Sequence, residues 1–288
     1  MPISSSPTTI TPHDQTSVAG RIAVALAALA LLGASCSRPD ATPVGDVSGM
    51  RPVPAGQALL GCHKAVDAEC ENDEPAGELV ELAAFEIDTT EVTVAQYRAC
   101  VDAGACSAQG LELPSSGTAD QPELAWTCNW GKPDRDRHPI NCLDWEAAVK
   151  FCTWAGKRLP TANEWERAAR GTDGRRFPWG NEAVQPSPQA NLADQTLLGS
   201  APDRWGLAEF DDGYVSTAPV GSFPAGDAPT GAKDMAGNVW EFVAEGDATR
   251  HEMRGGAWSY YPIALRTSDK AYASNGRRNG DTGFRCAR

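Results

Sequence analysis

The residues best arranged for ion chemistry lie in the string Asp234-Met235-Ala236-Gly237-Asn238-Val239-Trp240-Glu241, which sets two carboxylates around a glycine turn. Alternate residues on extended chain point the same way, so the Gly237 and Val239 carbonyls can converge with the side chains of Asp234 and Glu241. Ca2+ takes 6–8 hard oxygen ligands. This string supplies four, with water completing the shell. On composition alone, the same acids and amides also read as turn formers.

Other reactive residues are less organised. His13, His63, His138 and His251 show no metal-ligand spacing. His138, beside Pro139, reads as a hydrogen-bonded structural residue, and His63 and His251 as surface residues. The paired acids Asp211-Asp212 and Asp134/Asp136 read as solvated loops. The chain holds no Gly-x-Ser-x-Gly elbow, no Gly-Lys-Ser/Thr phosphate loop and no His-Glu-x-x-His helix.

Nine cysteines are present. Setting Cys36 aside leaves Cys62, Cys70, Cys100, Cys106, Cys128, Cys142, Cys152 and Cys286. An even set in an exported chain implies disulfides, and no Cys-x2-Cys pair suggests a metal instead. Eight cysteines allow 105 pairings. Three pairs close in sequence read as local loops: 62–70, 100–106 and 128–142. Cys152 and Cys286 then remain for a long-range staple.

These residues need elements to position them. Residues 85–88 (FEID) alternate as a strand does. Thr93-x-x-Gln96 and Thr161-x-x-Glu164 are capping boxes that open helices, and Gly104 ends the first of these. Asp144 caps another helix, stopped by Gly156, with Ala147, Ala148, Phe151, Cys152 and Ala155 on one face. Cys152 therefore faces the core. Beyond Gly171 the chain turns rich in Gly, Pro, Asn and Asp, with only brief strand-like runs. Such a stretch needs disulfides or bound ions to hold it.

The chain has 288 residues, 25 Lys+Arg against 38 Asp+Glu, and a net charge of -13. An acidic chain without a basic stripe makes nucleic acid a poor partner. Residues 22–34 (IAVALAALALLGA) follow Arg21 and would span about 20 Å as helix, short of the ~30 Å bilayer core. Residues 1–35 are therefore read as a signal peptide. Leu32-Gly33-Ala34-Ser35-Cys36 resembles a bacterial lipobox, which makes Cys36 the lipidated first residue. Residues 36–56, rich in Pro, Gly, Ser and Asp, read as a tether. Residues 57–288 read as the folded domain. The expected location is the cell envelope: the periplasmic side of the inner or outer membrane, or the cell surface.

Several strings resemble the formylglycine-generating enzyme (sulfatase-modifying factor) superfamily. They include Ile87-Asp88-Thr89-Thr90-Glu91-Val92-Thr93, His138-Pro139-Ile140-Asn141 and Gly156-Lys157-Arg158-Leu159-Pro160-Thr161. Phe177-Pro178-Trp179-Gly180, the string 234–241, Arg254-Gly255-Gly256 and Gly283-Phe284-Arg285-Cys286 follow in the family's order. The resemblance implies a single, irregular, coil-rich α+β domain related to the C-type lectin fold, and it supports the Cys152–Cys286 bond. It assigns calcium to the Asp234, Gly237, Val239 and Glu241 positions. It also implies a second calcium site formed by the Asn191 and Asp212 side chains with the Leu192 and Tyr214 carbonyls.

The family's oxidases hold Cu(I) on a Cys-x4-Cys pair shortly after Arg-Gly-Gly, and soft thiolates select that ion. Here those positions fall on Tyr260 and Leu265, and no cysteine lies from Ala257 to Arg285. No copper is expected. Another branch uses an iron held by three histidines of a fused helical domain, which this chain lacks. The sequence thus reads as a lipid-anchored, calcium-stabilised binding or accessory module. Trp258, Tyr260 and Tyr261 would line a groove for a protein, peptide or glycan. The alternative is an oxidoreductase working at an unrecognised site.

Overall fold

A computed structural model describes residues 49–116, 119–183, 189–200 and 211–288. Cys36, the signal segment and most of the tether lie outside them. The folded body begins inside the expected tether: Met50–Val53 form a strand, β1. It pairs antiparallel with β4 (Phe85–Asp88), setting Val53 opposite Phe85. Between them β2 (Gly56–Leu60) and β3 (Glu78–Leu82) make an antiparallel hairpin. β1 is counted as strand by its inward Val53, which packs with Phe85, Ile87 and Trp165.

Three helices follow. In α1 (Val94–Asp102) Thr93 Oγ1 accepts from Gln96 N, while Gln96 Oε1 accepts from Thr93 N at 2.7 Å. α2 (Trp145–Trp154) is capped by Asp144, and α3 (Ala162–Arg170) by the Thr161–Glu164 box. A capping box satisfies two orphan amide donors at once. Among the described residues, the segment from Gly171 to Val239 has one further α-helix, α4 (Gln195–Ser200).

The largest sheet comes from the part of the sequence credited with only brief strand-like runs. β5 (Trp240–Gly246), β6 (Arg250–Arg254), β7 (Lys270–Ser274) and β8 (Thr282–Phe284) lie in the order β7-β6-β5-β8. The β5–β8 pair is parallel and sets Glu241 opposite Gly283. Against this sheet pack Tyr97 and Phe151, stacked at 5.6 Å, with Phe284 edge-on to Phe151 at 5.5 Å. A second core forms around Trp165, Ile87, Met235 and Val243.

All four expected disulfides are present: Cys62–Cys70, Cys100–Cys106, Cys128–Cys142 and Cys152–Cys286. The last joins α2 to the residue two after β8. The hairpin end is fixed by charge as well. Arg266 reaches Asp67 at 3.0 Å and Glu74 at 2.9 Å, and all three are buried. No helix among the described residues is long and apolar enough to cross a membrane.

Candidate functional site: two acidic loops and an aromatic cavity

The structure brings together the residues of the second expected calcium site, Asn191, Leu192, Asp212 and Tyr214. Asn191 is fully buried; its Nδ2 donates to the Ser216 carbonyl at 2.9 Å, while its Oδ1 has no hydrogen-bond partner. Asp212 Oδ2 accepts from Leu192 N and Oδ1 from Tyr214 N, each at 2.9 Å. Burial pushes the Asp212 carboxyl up to about 7 against those two amides, and Asp194 and Asp211 add to the rise. Asp212 is thus no solvated-loop acid. The unpartnered Asn191 oxygen and the Asp212 carboxylate, linked through Leu192, are hard-oxygen groups of the kind Ca2+ takes.

The loop of the first expected site is tighter. Asp234, Gly237 and Asn238 all have positive φ (55°, 77° and 61°), which folds the string back on itself. A Cβ on Gly237 would lie 2.1 Å from the Asn191 carbonyl oxygen, so no other residue fits there. Asp234 Oδ2 accepts from Gly221 N at 2.5 Å, and burial raises its pKa to about 6. Glu241 is fully buried and already partnered: Arg285 donates to both its oxygens, at 2.6 and 2.7 Å, and Trp165 Nε1 donates at 2.8 Å. A cation here would share Glu241 with Arg285.

The unpartnered oxygen in this loop belongs instead to Glu91, a residue that sequence reading did not single out. Glu91 is fully buried, and its Oε2 accepts from Asn238 Nδ2 at 3.3 Å while Oε1 has no partner. Burial, then Asp234 and Glu241, hold its carboxyl well above the usual range. The available signal was an acid directly before Val92 within the string 87–93.

Asn238 joins the two loops to a cavity. Its N–H donates to the Asn191 carbonyl and its carbonyl accepts from Trp258 N, both at 3.0 Å. Ala193 N donates to the Tyr260 carbonyl at 3.1 Å, and Ala193 and Leu197 pack on Trp258. The chain reverses here through Gly256 at φ 74°, where a Cβ would meet the Ala264 carbonyl at 2.7 Å.

The cavity holds about 150 Å³ and is lined by Trp258 and Tyr260, by Gln121, and by Arg277, Asn279 and Asp281. Trp258 is buried and donates to the Gly280 carbonyl at 3.1 Å, so it is both core and cavity floor. Tyr260 is 39% exposed and meets Trp240 edge-on at 5.3 Å. Tyr261 is half-buried, does not line the cavity, and precedes the 3-10 turn Pro262–Leu265. Leu265 is fully buried with Phe177 and Leu192. Tyr260 and Leu265 thus face different surroundings, and neither offers a thiolate.

The histidines divide. His138 is structural as expected: its Nδ1 lies 3.0 Å from Thr217 Oγ1, which donates to Asn129. Burial and Arg135 lower its pKa to about 4. His63 is half-buried. His251 is not a surface residue; it is buried and stacks on Trp145 at 4.2 Å, because β6 turns it inward over α2.

A coil-rich α+β body, a disulfide from Cys152 to Cys286 and paired acidic loops beside an Arg-Gly-Gly turn are the features of the formylglycine-generating-enzyme class. The chain belongs to the sulfatase-modifying factor enzyme 1-like domain family, which it matches over residues 36–288. It is 32% identical to a formylglycine-generating enzyme of Thermomonospora curvata, over 86% of this chain and 96% of that protein. It is 35% identical to an inactive C-alpha-formylglycine-generating enzyme 2 of Bos taurus, over 61% of this chain and 63% of that one. The structure of PvdO from Pseudomonas aeruginosa superposes with a TM-score of 0.63 at 26% identity, covering 83% of this chain and 93% of that one. The family's homologues are oxidoreductase-like.

Proposed function

We propose that the protein is an exported lipoprotein, anchored through Cys36, whose domain is a calcium-stabilised binding or accessory module for a protein or glycan ligand. One observation carries the reading. The positions that would hold a Cu(I)-binding thiolate pair are Tyr260 and Leu265, and all eight cysteines among the described residues are spent in disulfides. What the site offers instead is aromatic surface next to polar side chains, the composition of a recognition site. Asn191 with Asp212, and Asp234 with Glu241, supported by Glu91, would hold the calcium ions. Their chemistry is structural: neutralising buried carboxylates in a segment short of regular hydrogen-bond ladders.

The test is elemental analysis of residues 37–288, produced in an oxidising compartment and purified without chelator. Calcium near two per chain, with copper and iron absent, is the expected result. Stoichiometric copper or iron overturns this reading in favour of an oxidoreductase. The anchor is tested separately by labelling cells with an alkynyl fatty acid: label should reach the full-length protein and be lost in C36S.

A further inference from the structure

Resting on the binding-module reading, we infer that the cavity beside Tyr260 takes one neutral pyranose ring of a glycan and does not cleave it. Its size is the first ground. About 150 Å³ is the volume in which a protein interior accommodates a single six-membered ring.

The second ground is the pairing of ring faces with pre-held polar groups. Tyr260 is 39% exposed in the lining, and the Trp258 floor is braced from outside the cavity by Trp126, edge-on at 5.8 Å. Lys132 fixes that segment by donating to the Trp126 carbonyl at 2.7 Å and the Ala125 carbonyl at 3.0 Å. The polar lining is equally constrained. Arg277 Nε donates to Asn279 Oδ1 at 2.9 Å, which turns the amide nitrogen of Asn279 away from Arg277. Ser259 donates to Asp281 Oδ2 at 3.0 Å and Thr282 to Oδ1 at 3.2 Å, fixing the plane of the carboxylate. A sugar hydroxyl both donates and accepts, so it suits a site that offers fixed donors and fixed acceptors together.

Charge and topology narrow the ligand. Arg277 and Asp281 offset one another at the cavity, and the chain is at -13, so no anion is favoured. A peptide that adds as a strand needs an open strand edge, and none of the residues lining the cavity lies in a strand. Asp281 is the one carboxylate in the lining, whereas glycoside hydrolysis takes a pair flanking the bond. Binding without cleavage follows.

The experiment titrates full-length protein with neutral hexasaccharides (cellohexaose, maltohexaose, chitohexaose, xylohexaose, mannohexaose) and screens it on a random heptapeptide library. Tryptophan fluorescence and calorimetry are the readouts. At least one hexasaccharide should bind with a change in Trp emission and be recovered uncut. Y260A, N279A and D281N should each weaken it about tenfold or more while calcium content and melting temperature stay at the parent values. Peptide binding lost in Y260A, with no hexasaccharide bound, overturns the glycan inference and leaves the binding-module reading intact. Hexasaccharide binding unchanged in all three variants overturns the assignment to this cavity. No ligand of either kind overturns both readings.

Discussion

Among the described residues, the chain between β4 and the end of α3 carries three α-helices, two capping boxes and five of the eight described cysteines; from Gly171 to Val239 the described residues carry one short α-helix, and the sequence has no cysteine there. The first stretch is secured by covalent bonds and by an apolar core around Tyr97 and Phe151. The second is secured by short polar side chains that clasp backbone: Asp194 accepts from Asp212 N at 2.6 Å and from Leu197 N at 3.0 Å, and Asn238 Oδ1 accepts from Ala218 N at 2.9 Å. Carboxylates do this work well only when ionised, and they are crowded here. The comparison teaches that the first stretch should respond to reduction and the second to ions and acidity.

Removing the covalent part gives the largest change. C152A/C286A opens a loop of 134 residues and should lower the unfolding free energy by about 4–5 kcal/mol in urea titrations. Calcium content of the folded fraction should not change; if it falls, the two stretches are not independent. Next comes Gly237→Ala, which forces a Cβ against the Asn191 carbonyl at positive φ. A loss of about 3 kcal/mol is expected, with calcium affinity weakened at both loops at once, read by calorimetric titration.

Removing calcium itself should cost about 2.7 kcal/mol per site relative to a calcium level one hundredfold above Kd. Thermal melts with and without EDTA check this, and N191A should abolish the increment at the Asn191–Asp212 site alone. A chelator that leaves the melt unchanged breaks the comparison outright.

The smallest effect is set by acidity where the two stretches meet, at His138 of the first against Thr217 of the second. His138 is neutral in the fold with a pKa of about 4, while the unfolded chain takes up its proton near 6.5. The unfolded state then binds more protons between these values, so this residue's contribution falls as pH drops from about 6.5 to about 4. Against H138N, which keeps a polar atom near Thr217, the parent should lose about 2 kcal/mol more over that window, discounted for screening beside Arg135. Equal slopes for the two proteins would rule the histidine out.

The helices of the first stretch were legible because each begins with its own chemical signal: Thr93 with Gln96, Asp144, Thr161 with Glu164. The disulfides were legible because three pairs are local. The four-stranded sheet was not. β5 is buried on both faces over Trp240–Val243 and so lacks alternation, and β8 has three residues, too few for a pattern. β1 was hidden by the proline and glycine around it. In the loops, family motifs placed Asn191, Asp212, Asp234 and Glu241, but Glu91 reaches them only through tertiary folding, across 147 residues from Asn238. Nor could spacing show that Arg285 already claims Glu241. The cavity was half legible: Trp258 and Tyr260 belong to it, while Gln121, Asn279 and Asp281 come from segments with no motif of their own.

The bond between Cys152 and Cys286 also changes what cleavage means for this molecule. Arg288, two residues on, exchanges backbone bonds with Glu86, so the segment after Cys286 is sewn to β4. A protease that cuts once anywhere between those two cysteines makes a nick and releases nothing. The cavity, the loops and the amino-terminal strands travel on as one covalent body. On a gel run without reductant such a nicked protein keeps its full mass, and only reduction separates the pieces.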